Sequence, residues 1–230
     1  MRTKLLIFAA AIVFSFAFIG CKGGNTPDDP SESNPKYTYN ASTHKYEVTL
    51  NNGQKLYFKI AILEVKEGIV TKLDTALTLI SYPNYKRADD KSYKEEEPYL
   101  YRGNVSIPPT IILDKKWTIH AMMKQVFYYC TELNSVELPQ TIDKITYNAF
   151  GGCKQLKEIS FYSTEIEEAA FYDCVALESI KSYSVTPPQI VSSRAFYNVP
   201  KFNLYVPQNS IEAYKQSAWK NYAKEFRPIE

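Results

Sequence analysis

Four phenylalanines recur in one local context: Val126-Phe127, Ala149-Phe150, Ala170-Phe171 and Ala195-Phe196, separated by 23, 21 and 25 residues. Five residues before each stands an apolar side chain: Met122, Ile145, Ile166 and Val191. Three after it come Cys130, Cys153, Cys174 and Val199, and six after it Leu133, Leu156, Leu177 and Phe202. A unit of this length cannot bury its own apolar face, so the copies must stack against one another in a solenoid. No other feature limits the fold as strongly.

Within each copy, Ala-Phe-x-x-Cys-x-x-Leu has apolar residues three apart, which suits a short helical turn with one buried face. The pattern then switches to period two. Val136 and Leu138 fall on one side of Ser135 and Glu137, Ile159 and Phe161 alternate likewise, and Leu204 and Val206 precede Pro207. Proline cannot donate to a ladder and closes such a strand. Stacked strands then form a parallel sheet, and the small Ala beside each Phe lets neighbouring coils approach.

This combination resembles the BspA-like leucine-rich repeats of bacterial surface lipoproteins, over about Val105 to Pro207. Val105-Ser106-Ile107-Pro108 is similar to an opening strand of the same type, and Leu204-Tyr205-Val206-Pro207 leading into Tyr214 and Trp219 is similar to the family's ending. Met122 and Val126 replace the usual Ile and Ala in the first copy, and the last copy has lost the cysteine. The resemblance implies an α/β solenoid: a short right-handed superhelix with a parallel sheet, serving as a surface recognition or adhesion module and not as an enzyme.

The N-terminus carries Arg2 and Lys4 before an apolar run from Leu5 to Gly20. That run is short for a span of about 30 Å, and its charged start matches a secretory signal peptide. Phe18-Ile19-Gly20-Cys21 is similar to the lipobox of bacterial lipoproteins, with Phe18 where Leu is usual; the alternative is an ordinary cleaved signal beside an incidental cysteine. The resemblance implies acylation of Cys21 and stable anchoring, since each buried methylene adds ~0.8 kcal/mol. Residues 1–20 are then the signal peptide and 21–36, rich in Gly, Asn, Asp, Ser and Pro, a flexible tether. The expected location is the cell envelope, at the outer membrane and exposed on its surface.

Residues 37–103 read as a β-rich N-terminal cap. Val48 and Leu50 alternate on one arm of a hairpin, Leu56, Phe58 and Ile60 on the other, with Asn52-Gly53 as the turn. Ala61 to Ser81 continues around Glu67-Gly68, and Tyr82 to Tyr99 turns charged and reads as a surface loop. The repeats occupy 104–207. Residues 208–230 read as a C-terminal capping helix: Asn209 and Glu212 have capping-box spacing, and Ile211, Tyr214, Trp219, Tyr222 and Phe226 share one helical face.

Catalytic patterns are lacking. His44 and His120 are far apart and without metal-ligand spacing to Cys, Asp or Glu. There is no Gly-rich phosphate loop and no Gly-x-Ser-x-Gly elbow. A net charge of +2 with mixed signs gives no basic stripe for nucleic acid. No cofactor is expected, and the membrane is reached only through the lipid. Cys130, Cys153 and Cys174 read as buried thiols, because Val199 fills the same column. A disulfide between coils is the alternative, although three thiols cannot all pair. Asp74-Thr75-Ala76 is similar to an acceptor triplet for O-glycosylation at Thr75 in some gut-type bacteria.

Two binding surfaces are candidates. The outward strand positions are Ser135, Glu137, Glu158, Ser160, Ser179, Lys181, Asn203 and Tyr205. The other surface is an aromatic rim of Tyr128, Tyr129, Tyr172 and Tyr197 just after the buried Phe of each coil, where packing is an equally good reading. The chain has 19 Tyr against 8 Gly, and exposed Tyr suits sugars or extended protein partners. The ligand is therefore a protein or a glycan. The second role that stays open is a glycan-binding or docking accessory subunit of an outer-membrane complex.

Overall fold

The computed structural model describes residues 36–40, 45–50, 52–66, 69–80, 101–113 and 116–229. The expected signal peptide, Cys21 and most of the tether, His44, the Glu67-Gly68 turn and the 82–99 loop lie outside the described residues.

The N-terminal part is a meander. Strands β1 (Lys36–Asn40), β2 (Lys45–Thr49), β3 (Lys55–Lys66) and β4 (Ile69–Leu79) pair antiparallel in sequence order. The β2–β3 turn is the one expected at Asn52-Gly53: Gly53 has φ +81°, and Val48 and Leu56 face each other, fully buried. After β5 (Gly103–Ser106), strands β6 (Thr110–Ile112) and β7 (Lys116–Met122) form a hairpin. β7 pairs parallel with β4, so the strand that brings in Met122 ties the first coil to the N-terminal sheet.

Each following coil contributes one longer and one short strand. β8 (Leu133–Glu137), β10 (Glu158–Phe161), β12 (Ser179–Ser182) and β14 (Phe202–Val206) lie in a parallel sheet that begins with β5. The short strands β9 (Lys144–Ile145), β11 (Glu165–Ile166) and β13 (Gln189–Ile190) form a second parallel sheet. Register is exact down the larger sheet: Val105, Val136, Ile159, Ile180 and Leu204 stack as one buried column.

The segment between Phe and Leu is where the sequence pattern suggested helix. It forms tight turns instead, with a 3-10 helix only at Ser193–Phe196 in the last coil. The reason is a left-handed residue two positions after every Phe: Tyr129, Gly152, Asp173 and Asn198, φ 55–76°. Three coils have a second one two positions before it, at Gln125, Asn148 and Ala169. A single left-handed residue ends a helical turn. It also turns alternate N–H groups toward the neighbouring coil. Phe127 N donates to Ala149 O, Phe150 N to Ala170 O and Phe171 N to Ala195 O, each at 2.8 Å. Tyr129 N, Gly152 N and Asp173 N likewise reach Gly151 O, Tyr172 O and Tyr197 O. A third inter-coil ladder thus joins the two sheets.

Side chains reinforce it. Phe127, Phe150, Phe171 and Phe196 stack with centroids 4.9, 5.3 and 5.1 Å apart and planes within 7° of parallel. Tyr101 closes the stack edge-on at 4.7 Å, and Trp219 and Tyr222 close the other end. Cys153 Sγ donates to Phe127 O at 2.9 Å and Cys174 Sγ to Phe150 O at 3.0 Å. At the opposite corner Thr141, Ser163 and Ser184 donate to Ile119 O, Ile142 O and Ser163 O of the preceding coil.

Two further expectations need correction. Val191 is 52% exposed; Ile190 pairs with Ile166 and takes the inner column in the last coil. The copy is 25 residues long; one extra residue falls between this column and the Phe, and the rest before Ile190. The expected helix over 208–230 is only α1 (Ile211–Gln216), between 3-10 turns at Gln208–Ser210 and Ala218–Asn221. Ser210, not Asn209, occupies the cap position of α1, and its side chain makes no capping bond. Ser217 is extended and its hydroxyl accepts from Trp219 N, which restarts the chain in a new direction. Residues Ala223–Pro228 then form β15, parallel to β14. Tyr214 and Trp219 are fully buried, while Ile211, Tyr222 and Phe226 are half-buried against the core.

Phe150→Ala should cost ~3–5 kcal/mol in chemical denaturation, because the rings above and below cannot both close the gap. Gly152→Ala should cost ~1–2 kcal/mol: φ is +76° and the new Cβ would lie 3.2 Å from the Tyr129 ring. A near-neutral Phe150→Ala melt would contradict the stacked core.

Candidate functional site

Period two on β5, β8, β10, β12, β14 and β15 puts every second side chain outside the larger sheet. Register aligns these into two rows. One runs Asn104, Ser135, Glu158, Ser179, Asn203 and Glu225; the other runs Ser106, Glu137, Ser160, Lys181, Tyr205 and Arg227. All eight outward positions expected from the sequence lie in these rows. Ser160, at 9% exposure, sits lowest among its neighbours.

The rows are internally bonded. Ser106 Oγ donates to Glu137 and Ser135 Oγ to Asn104, at 3.0 and 2.9 Å. Lys181 Nζ lies 2.6 Å from Glu158, and Arg227 lies 2.6 Å from Glu225. The bond to Glu158 holds the Lys181 ammonium above its usual pKa, against partial burial. Being half-exposed, the pair contributes little to stability.

One more step along the same alternation reaches Tyr162 and Tyr183, just beyond β10 and β12. They stack with centroids 4.6 Å apart and planes 16° apart. Two open hollows flank them. One, of about 420 Å³, is lined by Ser106, Pro109, Glu137, Ser160 and both tyrosines. The other, of about 430 Å³, is lined by Glu158, Ser179, Lys181, Tyr183, Tyr205 and Pro228. This pair lies past the expected strand ends, although the alternation Glu158-Ser160-Tyr162 and Ser179-Lys181-Tyr183 carries the signal.

The aromatic rim divides. Tyr172 and Tyr197 stack at 5.1 Å, with Tyr197 56% exposed. Tyr128 and Tyr129 meet edge to face and lie over Gly151 and Gly152, where a Cβ would come within 3.1 and 3.2 Å of their rings. Tyr129 nevertheless keeps 39% of its surface exposed.

Cys130, Cys153 and Cys174 are buried free thiols. Burial pushes Cys130 up to about 12 and the other two up as well. His120 is half-buried in β7. Among the described residues no group of three His, Cys, Asp or Glu side chains could hold a metal ion. No helix among them is long and apolar enough to cross a membrane.

At pH 8 a thiol reagent should label none of these three cysteines in the folded protein and all three in urea without reductant. Recovery of only one would reveal a disulfide. The unfolded chain loses thiol protons above pH about 9, while the folded chain keeps them to higher pH. Stability should therefore fall as pH rises past 9, by up to about 1.4 kcal/mol per pH unit for each thiol.

None of the curated proteins matches the chain. Three solved structures are similar to it. A leucine-rich repeat protein from Bacteroides capillosus is 17% identical, covering 65% of this chain and 93% of that one, with a TM-score of 0.44. A leucine-rich repeat protein from Bacteroides ovatus is 15% identical over 87% of this chain and 41% of that one, at 0.40. A leucine rich cell surface protein from Faecalibacterium prausnitzii is 16% identical over 77% and 46%, at 0.39. Residues 120–226 match the family described as BspA type leucine rich repeat region, in six copies. The matched region runs past Pro207 as far as β15. It holds the Phe stack and strands β8 to β14: residues 120–226 are a BspA-type leucine-rich-repeat region.

Proposed function

We propose that this chain is a recognition module of the bacterial cell envelope that binds a partner through the outer face of its larger parallel sheet. The observation that carries this reading is the face itself. Six strands in continuous register present two rows of side chains to solvent over about 24 Å, at ~4.8 Å per strand. The core on the other side of the sheet is set by the repeat, so the outward positions are free to be chosen for a partner. The role is binding without catalysis. A second reading, a glycan-binding or docking accessory subunit of an envelope complex, is favoured by the exposed Tyr162–Tyr183 pair.

In this proposal residues 1–20 are removed on export, Cys21 carries the lipid, and the stretch 21–36 spaces the β-rich cap of 37–103 and the repeats from the membrane. Cys21→Ser should move the protein from the membrane fraction to the soluble fraction. Protease treatment of intact cells should degrade the repeat region. Protection until lysis would place the solenoid inside the envelope and rule out adhesion in favour of a periplasmic docking role.

A further inference from the structure

The Tyr162–Tyr183 pair is not needed by the repeat. Both rings lie outside the sheet, and Tyr162 is 41% exposed. Each uses one face against the other. Because β10 lies between β8 and β12, and β12 between β10 and β14, the remaining faces look in opposite directions along the coils. Tyr162 faces the hollow with Ser106, Glu137 and Ser160. Tyr183 faces the hollow with Glu158, Ser179, Lys181 and Tyr205. Tyr183 lines both hollows, and each sets aromatic surface beside hydroxyls and a carboxylate.

The charges on this face narrow the ligand. Lys181 is taken by Glu158 and Arg227 by Glu225, so an anionic ligand would have to break an existing ion pair to gain one. Glu137 is met by the Ser106 hydroxyl. What the face offers without rearrangement is aromatic surface and neutral hydrogen-bonding groups beside carboxylate acceptors. That set complements a molecule with an apolar C–H face and many hydroxyl groups.

We propose that the Tyr162–Tyr183 stack and its two flanking hollows form a binding site for an uncharged glycan, with one sugar ring against Tyr162 and another against Tyr183. The proposal rests on the reading of the sheet face as a recognition surface and names its ligand class. The two hollows are separate, so a ligand that fills both must be an oligosaccharide.

The test uses the full exported chain with its lipid, purified in detergent, against soluble mannan, xylan, galactan and a β-1,3-glucan, with polygalacturonate and heparin as acidic comparators. At least one uncharged polysaccharide should bind, with affinity unchanged between 50 and 500 mM NaCl as about the span in which charge contacts are lost. Tyr162→Ala and Tyr183→Ala should each weaken it at least tenfold while the unfolding midpoint stays in place, and Tyr197→Ala should leave it unchanged. Failure of every uncharged polysaccharide, binding of the acidic ones only, or loss through Tyr197→Ala alone would overturn the site. Cell adherence that survives these results but is lost on Lys181→Glu would leave the recognition reading standing with a protein partner.

Discussion

The hydrogen bonds that run from coil to coil at the buried phenylalanines are the contacts on which the rest of the structure depends. A turn of chain about 21 to 25 residues long has no internal ladder in which to satisfy its backbone. The N–H groups of Phe127, Phe150 and Phe171 are buried with their rings and find acceptors only in the next coil. Without those acceptors each would carry a desolvation cost of about 1–3 kcal/mol. The thiols of Cys153 and Cys174 and the hydroxyls of Thr141, Ser163 and Ser184 bond in the opposite sense, toward the preceding coil. Every coil is thus donor to one neighbour and acceptor from it, and none is complete alone.

This arrangement explains why the two ends differ so much from the middle. At the N-terminal end β7 is recruited into the meander by pairing with β4, and Tyr101 covers Phe127 edge-on while its hydroxyl donates to Ile80 O. At the C-terminal end Ser182 replaces the apolar residue that Phe161 supplies one coil earlier. The space is filled by Tyr214, whose hydroxyl meets Ser182 and Ser184 O. Trp219 donates to Pro188 O from beneath the last coil. β15 then adds a sixth strand rather than a helix over the sheet edge. Lys224, Glu225 and Arg227 on that edge, with Pro228 at its end, discourage further pairing.

The columns of Phe, Cys and Leu were legible in the sequence because burial selects the same residue type at the same place in every coil. The outward rows were legible for the same reason, through period two. Less was visible wherever conformation is set by contacts between coils. The left-handed residues after each Phe are Tyr, Gly, Asp and Asn, so no single residue type marks them. The Ser and Thr column looks like ordinary surface polarity until its carbonyl partners are seen. The C-terminal aromatics share a helical spacing, but the helix breaks at Ser217 and pairing with β14 draws Phe226 into a strand. Tyr162 and Tyr183 follow the strand alternation by one step, just past the last residues of β10 and β12.

The separation between an inner set of side chains that holds the coils together and an outer set that does not is what lets such a scaffold serve recognition. The coils of this scaffold are bound to one another through the phenylalanine turns. Amide hydrogen exchange followed residue by residue tests this most directly. The N–H groups of Phe127, Phe150 and Phe171 should exchange only with global unfolding, as slowly as Ile159 and Ile180 in the larger sheet. Exchange of the three Phe amides by local opening, orders of magnitude faster than the sheet, would show that the turns are mere connections and contradict the account.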